Sequence, residues 1–160
     1  MKLLAAALLL AAAPTGRETL GVWKGWGAFR DAQPARCFAI AQPVAANGRA
    51  GGFASVATWP RKGLLNSLHI RLSRPRDRSA GVTLTLGGVG GERRFALVAN
   101  TADAWAADAP SDRAIVAAMR GGRSMSIEAV GEGGRPFADT YALAGAATAI
   151  DAAALACVGR

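Results

Sequence analysis

A nucleophile, a general base or a metal centre needs His, Cys or carboxylates at workable spacing. This chain supplies few: one His, two Cys, and eleven Asp and Glu together in 160 residues. His69 alternates onto the polar side of a strand-like stretch, beside Arg71. Ser67 or Ser73 with a distant Asp would formally complete a Ser-His-Asp hydrolase, but no G-x-S-x-G elbow accompanies them. The acids are scattered singly. Asp139 stands apart because strand parity groups it with Phe137 and Tyr141, and a carboxylate there needs an Arg or backbone N–H partner. No cluster has metal-ligand spacing, so neither metal nor cofactor is expected. The run LGGVGGERR lacks the Gly-Lys-Ser/Thr ending of a phosphate loop and reads as a hairpin turn. Binding without catalysis is the expectation.

What the chain has in excess is arginine. Lys plus Arg number 19, for a formal net charge of +8. Arg71, Arg74, Arg76 and Arg78 crowd one strand end with only Asp77 among them, and Arg93 and Arg94 are nearby candidates. Guanidinium forks suit phosphates and carboxylates. His69, Arg71, Arg74, Arg76 and Arg78 are therefore the candidate anion-binding residues. Trp23, Trp26, Phe29 and Trp59 could form an exposed docking patch for another protein, although Trp in a small β domain more often packs.

The compartment narrows the partners. Residues 1–16, MKLLAAALLLAAAPTG, have a basic start, an apolar run and small residues, the pattern of a signal peptide. Cleavage after Ala12 or near Gly16 both fit. No Cys follows the run as a lipid anchor would need, and no later stretch is long and apolar enough to span a membrane. An exported basic protein meets anionic lipid, lipopolysaccharide or acidic glycans before nucleic acid, which is not an expected partner. Export also places Cys37 and Cys157 where disulfides persist, and only one intramolecular pairing exists. Their spacing fits no CxxC motif, so a structural disulfide is expected rather than free thiols or a redox site. It would close a loop of about 120 residues, worth on the order of 4–5 kcal/mol in the chain-entropy model.

The rest is scaffold. Apolar residues make up 51%, nearly half of them Ala, with 20 Gly and 7 Pro. That excludes coiled coil, collagen and intrinsic disorder. Residues 17–160 are expected to form one domain. Strands are expected over 36–44, 53–59, 66–73, 82–86, 93–100, 124–130 and 135–143, from alternation between turn signals. Arg17 to Gly27 is a short aromatic opening segment. One helix should follow Ser111 as N-cap and stop at Gly121; another should run from Ala147 to Cys157, capped by Thr148. No βαβ alternation occurs, so the fold class is mostly β: an antiparallel two-sheet sandwich with two short helices.

Three stretches together resemble the invasion-associated locus B family of bacterial envelope proteins: ARCFAI, AWAADAPSDRAIVAAMRGGRSMSIEA and DTYALAGAATAIDAAALAC. The resemblance spans about Phe29 to Cys157. Where that family usually places an aromatic after the turn Gly, this chain has Ala146, and the Arg-rich middle WPRKGLLNSLHIRLSRPR resembles a subgroup feature. The resemblance implies an exported immunoglobulin-like β-sandwich with no known catalytic site, in a periplasmic or outer-envelope setting. The family's name comes from members linked to host-cell invasion, a role that does not transfer automatically.

Overall fold

The computed structural model describes residues 16–44 and 51–158. All of the expected signal segment except Gly16, and most of the turn-rich break at 47–52, lie outside the described residues. Ten strands and two helices follow in chain order: β1 Arg17–Trp23, β2 Trp26–Asp31, β3 Arg36–Ala41, β4 Phe53–Trp59, β5 Leu64–Arg71, β6 Val82–Gly88, β7 Gly91–Ala99, β8 Asp103–Trp105, α1 Ala109–Gly121, β9 Gly122–Val130, β10 Pro136–Ala142 and α2 Ala146–Ala156. No helix among the described residues is long and apolar enough to cross a membrane.

Every strand pairing is antiparallel, and the spatial order is β1-β2-β3-β4-β5-β8-β7-β6-β9-β10. The mostly β, antiparallel character expected from the sequence is thus observed, together with two helices. The ladder runs through all ten strands, so the facing layers of the expected sandwich are here two halves of one curled sheet. The joint is short: β8 meets β7 only through Val98–Trp105 and Ala99–Ala104. Period-two alternation puts Val56, Leu68 and Ile70 from one half, and Leu84, Met125, Ile127 and Tyr141 from the other, into a single core.

The outer strands do not pair with each other. Instead, Val44 N–H donates to Thr140 O at 2.6 Å, and the Trp26 indole N–H donates to Ala142 O at 2.8 Å. The remaining inner face, on β1–β3, is covered by α2, which buries Ala146, Ala149, Ile150 and Ala153. Gly145 holds the left-handed turn before α2 (φ 87°) so close to β1 that a Cβ there would lie 2.1 Å from Trp23 O. Gly145, not Thr148, is therefore the N-cap. For α1 the cap is Asp108, not Ser111: its carboxylate accepts from Ser111 N–H at 2.7 Å.

Cys157, at the C-cap of α2, is disulfide-bonded to Cys37 on β3, with 5.9 Å between their Cα atoms. Replacing both cysteines by Ala should lower the free energy of urea unfolding by about 4–5 kcal/mol, the loop-closure value for so long a connection. A loss below about 1 kcal/mol would show that helix packing alone seats α2.

Candidate functional site

The basic residues lie on a strap, residues 72–80, that leaves β5 and crosses one end of the curled sheet before β6. Its backbone is tied at several points. Leu72 N–H donates to Ala102 O at 2.8 Å, Arg76 N–H to Thr101 O at 3.0 Å and Asp77 N–H to Val130 O at 2.7 Å. Ser73 N–H donates to Asp139 Oδ2 at 2.8 Å, which supplies the buried carboxylate with the backbone partner its position calls for. Gly52 passes so close beneath that a Cβ would lie 2.3 Å from Arg71 O. The strap thus plugs the sheet end with hydrogen-bonded backbone.

The five predicted anion-binding residues separate into three environments. Arg76 is a correction to the sequence reading, because it is only 7% exposed. Its guanidinium donates to the carbonyls of Asn100 (2.6 Å), Asp77 (2.8 Å) and Ala99 (3.1 Å), and also to that of Ala80. With its donors turned onto carbonyls, it holds the strap and does not face a ligand. His69 and Arg71 are on the outer face of β5 and share one carboxylate oxygen. Asp103 Oδ1 is 2.8 Å from His69 Nε2 and 2.8 Å from Arg71 Nε. The His69 ring lies parallel to Trp105 at 5.4 Å and against the edge of Phe53 at 5.2 Å. Asp103 therefore offsets much of the charge this pair could offer an anion.

Arg74 and Arg78 are exposed and form no ion pair among the described residues. Arg74 lies over the Phe137 ring at 5.0 Å, which orients the guanidinium while leaving its donors available. Arg135, not singled out from the sequence, joins them. Its turn is bridged to the strap through Gly131, which pairs with Arg76 and donates to Arg135 O. Only a hairpin register linking residue 135 to residue 76 could have found it. Arg93 and Arg94 do not belong: they pair with Leu86 and Thr85, far along β6 from the strap, and Arg94 is bonded to Glu92 at 2.8 Å.

The remaining candidates fall elsewhere. Trp26 is 1% exposed and belongs to the core, which removes it from any docking patch. Phe29 stacks on Phe38, while Arg36 and Lys62 lie over Trp59. These rings form part of a cation–aromatic row on the outer face of β2–β4. Asp31 joins that row, its pKa held below the ordinary carboxylate range first by the hydrogen bond from Arg17 and further by Arg36. Ser67 lies beside Leu68, whose N–H donates to Asp112, and Ser73 is bonded to Asp139 through its backbone. Burial, then the charge of Asp139, pushes the Tyr141 phenol well above its usual pKa, so it stays protonated. Among the described residues no group of three or more His, Cys, Asp or Glu is placed to hold a metal.

These features define a disulfide-latched, curled antiparallel β domain with an arginine-bearing strap over one end. The family model for the Invasion associated locus B (IalB) protein matches residues 28–154. The chain belongs to that family. No curated protein and no solved structure matches it.

If Arg76 is a clamp and its neighbours are surface groups, their stabilities must differ. Arg76→Met should cost roughly 3 kcal/mol in urea unfolding, because four carbonyls lose their donor. Arg74→Ala and Arg78→Ala should each stay within about 0.5 kcal/mol. Equal small losses at all three positions would contradict the clamp.

Proposed function

We propose that this protein is an exported, non-catalytic envelope component that binds an anionic surface through its strap. The ligand chemistry is a phosphate- or carboxylate-bearing group: anionic lipid, lipopolysaccharide or an acidic glycan of the envelope or of a host surface. Arg74 and Arg78 make the primary contact, with Arg135 beside them. His69 and Arg71 lie at the margin, where Asp103 weakens their pull. Family membership supports the envelope setting, and the Cys37–Cys157 bridge supports an oxidising, exported compartment.

One observation carries this reading: two exposed guanidiniums without acidic partners among the described residues flank a third that is buried as their anchor. The buried Arg76 fixes the backbone between them, so the flanking pair is pre-positioned, and less order must be created on binding. A charge excess arising from composition alone carries no such anchor.

A cation near an anionic membrane surface is worth about 1 kcal/mol. Arg74→Ala with Arg78→Ala should therefore reduce partitioning onto vesicles of mixed neutral and anionic phospholipid by about 30-fold. Binding of the unaltered protein should also fall steeply between low and physiological salt. Co-sedimentation measures both. Salt-insensitive binding, or full binding by the double variant, would overturn the proposal, and a preference for soluble acidic glycan over vesicles would move the ligand to that source.

A further inference from the structure

The other end of β5 holds a different surface, and it begins with an extra residue. Ala57 pairs with Ser67 and Trp59 with Leu64, so Thr58 alone lies opposite both Leu65 and Asn66. Asn66 adopts a left-handed φ of 50° there, and its N–H reaches Thr58 Oγ1 at 3.3 Å. Such a bulge re-aims the side chains before it. By simple alternation Leu64 would share the inner face with Leu68 and Ile70. After the shift it pairs with Trp59 instead. Leu64 is 45% exposed and Leu65 72%.

The two leucines line a groove of about 410 Å³ against α1, with Val116, Ala117, Arg113 and Arg120 on the helix side. The one acid there, Asp112, is engaged by the protein: it accepts from Leu68 N–H at 2.7 Å. Arg120 is paired with Asp151, whereas Arg113 forms no ion pair among the described residues. The groove therefore combines exposed leucines with one uncompensated guanidinium, that of Arg113. In addition, β8 pairs with β5 only at His69–Arg71, so residues 64–68 have no strand neighbour on that side among the described residues.

We propose that this groove docks an acidic peptide segment of a partner protein, laid along β5 with apolar side chains against Leu64 and Leu65. Charge complementarity selects this occupant: a carboxylate on the segment would meet Arg113, which has no acidic partner among the described residues. A second copy of this chain is the poorer fit, since it would bring a chain of formal net charge +8 to Arg113. The site lies apart from the strap and does not depend on what the strap binds.

The test is an amide NMR titration of the full chain with three synthetic nonapeptides. One carries alternating Leu with flanking Glu, one has Lys for each Glu, and one has Ser for each Leu. The Glu/Leu peptide should shift amides of residues 64–68 and of α1, and its affinity should fall at least tenfold in both Leu65→Asp and Arg113→Glu. Unchanged signals from β6, β9 and β10 would verify that each variant is folded. Equal binding of the Lys or Ser peptide would overturn the proposal, as would shifts centred on Arg74 and Arg78, unchanged affinity in folded Leu65→Asp, or no shift at millimolar peptide. A concentration-dependent dimer in sedimentation that Leu65→Asp abolishes would also overturn it, assigning the groove to a second copy.

Discussion

An open sheet that curls without closing its own ladder must be held shut by something else, and here that role falls to α2. The helix seats on β1–β3 through Ala146, Ala149 and Ala153, against sheet residues such as Ala28, Ala39 and Ala41. Small side chains let helix and sheet approach closely, but each buries little apolar area, and hydrophobic stabilisation scales with that area. Ile150 is the one large aliphatic residue buried from α2. A covalent tie at the far end of the helix compensates for this shallow contact. It joins the last helix to the third strand, so residues remote in sequence limit each other's freedom in the unfolded chain. The closing bonds from Trp26 and Val44 to residues 140–142 then act on edges already brought together.

The same division between holding and presenting recurs on the strap. A buried guanidinium is costly unless its donors are satisfied, and Arg76 meets that demand with carbonyls from two segments, the strap itself and the end of β7. No carboxylate takes part, so the charge is retained beneath a surface that also carries Arg74 and Arg78. Asp103 has the opposite effect on β5, where one carboxylate draws in both His69 and Arg71. Basic residues crowded in sequence thus have very different value to an anion, and the local acids and carbonyls set the ranking.

Much of the scaffold was legible because alternation is a direct consequence of one buried face. It located β4, β5, β6, β9 and β10 within a residue or two. It missed β1 and β2, where glycine interrupts the pattern: a Cβ on Gly21 would lie 2.5 Å from the Trp23 ring, and one on Gly27 would lie 2.7 Å from the Phe29 ring. Those glycines make room for rings on their own strand, so the stretch looks like a loop. β8 has three residues and offers no period to detect. The cysteine pairing was legible by counting. The fate of Arg76 was not, since nothing in RLSRPRDR distinguishes it from Arg74 or Arg78; the difference arises from carbonyls more than twenty residues away. The leucine groove was hidden for a related reason, because a one-residue bulge reverses the facing that alternation assigns.

The central claim is that the Cys37–Cys157 bridge keeps α2 seated and thereby keeps the sheet curled. Amide hydrogen exchange on the oxidised and the gently reduced protein tests it most directly. On reduction, the amides of α2 and β1–β3 should lose protection together, while β6, β9 and β10 keep most of theirs. Retention of full protection in α2 after reduction, or an equal loss across all strands, would contradict the account.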